Sequence, residues 1–158
     1  MKFIADAMLG KFTRWLRMLG QDVTYSTLHG DKELLMFAKA ENRVLLTKDF
    51  ELYKRATVQE VKAFFSEGKS EPERIAEVAK RYDLKLEINM NKANCPICNN
   101  PLKAAPKEQI KEKLENHTYS AYNTFWHCSN CGQVYWQGAH WKQISKTLAE
   151  SKESFNQT

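Results

Sequence analysis

The sequence predicts an α/β fold, a parallel sheet flanked by helices, followed by a small second module stapled through cysteine. Two observations lead there. Strand-like and helix-like segments alternate over the first ninety residues, and parallel strands need such long crossovers. All four cysteines fall after residue 94, as Cys95-Pro96-Ile97-Cys98 and Cys128-Ser129-Asn130-Cys131. With 158 residues and 42% hydrophobic content, the chain can build one ordinary domain and a small companion. We divide it into residues 1–90, the α/β domain; residues 91–145, the cysteine module; and residues 146–158, a tail.

"KFIADAML" opens with a short apolar strand. Beyond Asp6, the residues Met8, Leu9, Phe12, Trp15, Leu16 and Leu19 recur at helical spacing, which predicts a helix that buries Trp15 as core. Gly20 fits the helix end, and "DVTY" reads as the second strand, with Asp22 in the turn before it. A polar loop through His29 and Gly30 reaches Asp31, expected to cap a helix over "KELLMFAKAEN". "RVLL" is the third strand. "VQEVKAFFS" fits strand and helix equally. Ser70-Glu71-Pro72-Glu73 joins a Ser cap to an acid three residues on, with Pro in the first turn. It predicts a helix to about Tyr82 that packs Ile75, Val78 and Ala79 on the sheet. Between the cysteine pairs "NNPLKAAPKEQIKEKLENH" reads as a basic helix, and the end, "SKESFNQT", as frayed.

Composition narrows the function. Four Pro and six Gly are too few for a low-complexity chain, and no period of 20 to 50 residues repeats. The net charge of +5, from 24 Lys and Arg against 19 Asp and Glu, suits a polyanionic partner or simple solubility. "MKFIADAMLG" places an aspartate where an export signal needs unbroken apolar sequence. The expectation is therefore a cytoplasmic protein with no membrane association. In that compartment paired cysteines are more often metal ligands than disulfides.

In an open parallel sheet, functional groups gather beyond the carboxyl ends of the strands. Asp6 ends the first strand, Asp49 follows the third, and Asp31 lies at the same edge, so three carboxylates could converge. Two carboxylates about 4 Å apart repel by roughly 4 kcal/mol at an effective dielectric near 20. Three together need protonation, a cationic side chain or a bound cation. Mg²⁺ or Mn²⁺ is the simplest answer, because such ions take carboxylate and water oxygens and assist phosphodiester hydrolysis. Glu33 is a candidate fourth acid, and Thr47 a group that could orient Asp49. Each acid also has a plainer reading, as a helix cap or a loop carboxylate.

The two C-x₂-C pairs supply four thiolates, the set a tetrahedral Zn²⁺ prefers. Cys95, Cys98, Cys128 and Cys131 would close the site, so the zinc would be structural. Asn99 and Gly132, each following a second cysteine, suit the tight turn of such knuckles.

"FIADAMLGKFTRWLRMLGQDV", "DKELLMFAKAENRVLLTKDFEL", "CPICN" and "FWHCSNCGQVYWQGAHW" together resemble the ribonuclease-domain family named from the C-terminal part of mutator-class exonucleases. The resemblance implies a PIN-like domain followed by a zinc ribbon, with an acidic cluster that binds Mg²⁺ or Mn²⁺ and cleaves RNA. By motif position its acids fall on Asp6, Asp31 and Asp49.

Lys11, Arg14 and Arg17 recur every third residue and could share one helix flank that grips RNA phosphates, or form a solvated face. Lys48, beside Asp49, could contact phosphate too. Tyr135, Trp136, His140 and Trp141 could stack on bases, with Lys142 for phosphate, or seal the ribbon against the first domain. Of the histidines, His140 is the candidate substrate contact. The reading is thus a metal-dependent ribonuclease acting as an endonuclease; the alternative is a non-catalytic RNA-binding or adaptor module with the same fold.

Overall fold

Residues 1–157 are described by the computed structural model. Four short strands, β1 (Lys2–Ala5), β2 (Asp22–Tyr25), β3 (Val44–Thr47) and β4 (Ala63–Phe65), form a parallel sheet in the order β2-β1-β3-β4. Phe3 pairs with Val23 and Val44, and Leu46 with Phe64. The expected fold class holds: a parallel sheet flanked by helices, joined to a module with four clustered cysteines.

Alternation along β1 divides the core into two layers. Phe3 and Ala5 face α1 (Gly10–Met18) and α4 (Glu71–Tyr82), packing on Phe12, Trp15, Leu16, Ile75 and Val78. Ile4 points the other way, with Leu45, onto Leu34, Leu35 and Ala38 of α2 (Asp31–Ala40) and Leu52 and Ala56 of α3 (Phe50–Val58). Burial on both faces explains why β3 reads as an unbroken apolar run.

Most of the expected elements form. A 3-10 turn over Ala7–Leu9 precedes α1 and leaves Met8 exposed, so the apolar stripe begins at Leu9. Gly20, at φ +85°, closes α1: its N–H donates to Arg17 O, and that of Gln21 to Leu16 O. Ser70 Oγ accepts from Glu73 N–H, and α4 runs to Tyr82 with Ile75, Val78 and Ala79 fully buried. The ambiguous "VQEVKAFFS" resolves into the end of α3 and the strand β4.

Four readings change. Gly30, not Asp31, is the N-cap of α2, and Asp31 is its first helical residue. Asp22 lies within β2, where Arg43 and Asn99 bond its carboxylate. The segment between the cysteine pairs contains β5 (Lys103–Ala105), a 3-10 stretch and the short α5 (Asn116–Ala121), not one basic helix. β5 pairs antiparallel with β6 (Phe125–His127), which pairs with β7 (Val134–Tyr135). The expected frayed tail is instead a long helix, α6 (Trp141–Gln157), whose Ile144 and Leu148 pack on the core of the four-stranded sheet. Thr158, the last residue of that expectation, lies outside the described residues. No described helix is long and apolar enough to cross a membrane.

Candidate functional site

β1 and β3 are neighbours, so the residues following them emerge side by side at the carboxyl edge of the sheet. Asp6 is 9% exposed, and its Oδ2 accepts from Thr47 Oγ1 at 2.8 Å. The same hydroxyl, fully buried at the end of β3, accepts the Asp49 N–H at 2.9 Å. Thr47 thereby links the two carboxylate-bearing segments. Asp49 caps α3, with Oδ1 accepting from Glu51 N–H at 2.9 Å and Leu52 N–H at 3.2 Å. Among the described residues no donor reaches its Oδ2.

Asp31 is placed differently. Its Oδ2 lies 3.2 Å from Arg55 Nη1 of α3, in a half-exposed ion pair. Glu33 pairs with His29 at 2.8 Å. Among the described residues, Asp6, Asp31 and Asp49 are not gathered as tightly as the ligands of one ion. The structure joins Asp6 to Asp49 and ties Asp31 to Arg55.

The basic residues also divide. Lys11, Arg14 and Lys48 are exposed, but Arg17 is only 5% exposed. Three-residue steps fall about 60° short of a full turn, so Arg17 lies roughly 120° around the helix from Lys11. Its guanidinium donates to Val23 O through Nε at 3.0 Å and Nη2 at 2.7 Å, and to Pro96 O and Ile97 O through Nη1 at 2.9 and 3.2 Å. The expected phosphate contact of Arg17 is therefore corrected: it joins β2 to the first cysteine loop.

In that loop Cys95 N–H donates to Asn100 O and Asn99 takes φ 71°; in the second, Cys128 N–H donates to Gln133 O and Gly132 takes φ 79°. The matching turns place all four sulfurs within 4.8 Å of one another. Cys95 Sγ is 3.7 Å from Cys131 Sγ, and Cys98 Sγ 3.3 Å from Cys128 Sγ. A tetrahedral zinc with Zn–S near 2.3 Å has S···S edges of about 3.8 Å, so the four could hold such an ion. Crowding separates the thiols. At Cys98, burial opposes ionisation, but hydrogen bonds from Asn130, the Asn100 backbone and the neighbouring cysteines bring its pKa down to about 6. At Cys131, the Gln133 backbone favours the thiolate, but burial and the other thiols push the pKa up to about 12.

The Mut7-C RNAse domain family matches residues 1–148. The chain belongs to that family. Neither the curated proteins nor the solved structures contain a significant match.

In this Mut7-C RNAse domain the aromatic cluster mostly packs. Trp126 and Trp141 join the core around Cys95 and Cys128, and Trp136 packs beside Phe125. Tyr135 Oη lies 3.0 Å from Cys95 Sγ, and burial, then that thiol, raises its pKa. Its hydroxyl is thus committed to a cysteine ligand. His140 is exposed and meets Trp136 and Trp141 edge-on beside an apolar crevice of about 150 Å³. Sequence reasoning passed over Arg55, and it read Tyr135 as a stacking or packing ring, not as a hydrogen-bond partner of Cys95. Arg55 carries no local signal, because its partner lies 24 residues away.

Proposed function

We propose that this Mut7-C RNAse domain is an endoribonuclease that hydrolyses RNA phosphodiester bonds at the Asp6–Thr47–Asp49 edge, with Mg²⁺ or Mn²⁺ as cofactor. The observation that carries the proposal is the Thr47 hydroxyl, which bonds the Asp6 carboxylate and the Asp49 backbone N–H and so ties together two acid-bearing segments that follow adjacent strands, at the edge where parallel sheets place their sites. The donors suit a hard cation: Asp6 is nearly buried, Asp49 keeps one oxygen without a protein donor, and Asp31 stands at the head of α2. When bound, the divalent ion supplies a Lewis acid for the phosphoryl oxygen and an activated water. The chain contributes the rest. Thr47 fixes the Asp6 carboxylate, the α3 cap fixes Asp49, and Asp31, now paired with Arg55, would be the third acid to hold the ion. Lys48 is exposed beside Asp49 for a substrate phosphate, and His140 is available to a more distant nucleotide. The four cysteines hold a structural zinc, and such thiolates suit a reducing, cytoplasmic compartment.

The test incubates zinc-replete protein with end-labelled single-stranded and hairpin RNAs, with Mg²⁺, Mn²⁺ or neither, beside Asp6→Asn. An asparagine retains the acceptor for Thr47 but removes the charge. We expect divalent-dependent internal cleavage, lowered at least about a hundredfold in the variant. Equal cleavage by both proteins would refute the site.

The Asp31–Arg55 pair supports a second reading, an RNA-binding module without catalysis, because it neutralises one of the three acids. Retained RNA binding with no cleavage under any divalent ion would favour it.

A further inference from the structure

α1 and the first cysteine loop border an open cleft of about 490 Å³. Lys11, Arg14 and Arg17 line it from the helix, Pro96 and Ile97 from the cysteine loop, and Tyr25 from β2, with no carboxylate in the lining. Arg17 is spent on backbone carbonyls and positions the loop that forms the opposite wall. Lys11 and Arg14 are exposed and have no ion-pair partner among the described residues. Lys11 also borders a second cleft that carries Glu71 and Glu150, so a polyanion is directed to the Arg14 side.

Two further features restrict the occupant. Ile97 is 56% exposed at the tip of the loop between two cysteines, an apolar side chain beside a row of cations. Tyr25 Oη donates to Ala7 O at 2.9 Å, and Ala7 directly follows Asp6, so the cleft adjoins the acidic edge. Cations interleaved with apolar surface match a strand whose bases are unstacked, whereas a duplex hides its base faces and offers mainly phosphate and ribose.

We propose that this cleft seats the backbone of single-stranded RNA, with Lys11 and Arg14 on phosphates and Ile97 against an unstacked base or ribose. The direction toward Asp6 rests on the nuclease reading; binding itself does not.

The experiment measures fluorescence anisotropy of labelled single-stranded RNA, and of the same RNA as a duplex, on the zinc-replete 158-residue chain carrying Asp49→Asn, across a salt series. Arg14→Glu, Lys11→Glu and Ile97→Ala are each added to that background, with Lys152→Glu as control and zinc content and circular dichroism checked for each. Arg14→Glu and Lys11→Glu should each weaken single-strand binding at least about tenfold and flatten the salt dependence by about one phosphate contact. Ile97→Ala should weaken it about threefold or more with the salt slope unchanged. Binding within twofold of the parent for both charge reversals, or a duplex bound as tightly as the single strand, would overturn the proposal. The two readings fail separately: a parent chain that cleaves RNA while Arg14→Glu and Lys11→Glu bind normally refutes the cleft alone. One that never cleaves but loses binding on Arg14→Glu supports the cleft and refutes only the nuclease.

Discussion

At the residue scale, single side chains decide which groups are available to chemistry. Thr47 was legible as a strand-end hydroxyl, but its bond to Asp6 crosses 41 positions and no local pattern encodes it. Arg17 shows the opposite hazard, because a basic residue at regular spacing looked exposed while helix geometry turned it inward. Its removal leaves three buried or half-buried carbonyls without their donor, so Arg17→Met should cost about 2–4 kcal/mol in urea unfolding. Asp22 makes a pH prediction. Burial alone would raise its pKa, but hydrogen bonds from Arg43 and Asn99 hold it below the ordinary 3.8. A depressed folded value contributes stability that is present above pH 3.8 and lost as pH falls through the lower folded pKa. Unfolding midpoints measured from about pH 5 to about pH 2.5 should therefore fall less steeply for Asp22→Asn than for the parent.

At the element scale, periodicity recovered β1, β2, β3, α1, α2 and α4, because each buries a continuous apolar face. β4 was ambiguous since pairing with β3, not its own pattern, selects the strand. α6 was missed because a helix that packs on another helix needs only a narrow stripe. Ile144, Leu148 and Ser151 stand four and then three residues apart, and that spacing was the readable signal beneath a polar composition. Leu148→Ala should lower stability by about 1–2 kcal/mol, less than a fully buried leucine, as measured by chemical denaturation. A cost near zero would mean that α6 does not stabilise the sheet domain.

At the scale of the whole molecule, the cysteine module is bonded to the edge of the parallel sheet. Asn99 accepts from Val23 N–H at 3.0 Å, and Asn94 N–H donates to Arg17 O at 2.9 Å, so the first cysteine loop covers the otherwise open strand β2. Cysteine spacing made the module legible, but nothing in the sequence states where it docks. Chelating the zinc proposed to sit among the four cysteines should unfold the three-stranded sheet, change Trp126 fluorescence and expose the β2 edge to association, read by light scattering. Cleavage of RNA at the Asp6–Thr47–Asp49 edge remains the proposal on which the function turns. Its most direct test compares cleavage and RNA affinity for the parent chain and Asp49→Asn, since asparagine caps a helix about as well as aspartate and preserves α3. Divalent-dependent cleavage should fall at least about a hundredfold in the variant, with affinity and melting temperature unchanged. Undiminished cleavage by a folded Asp49→Asn would contradict it.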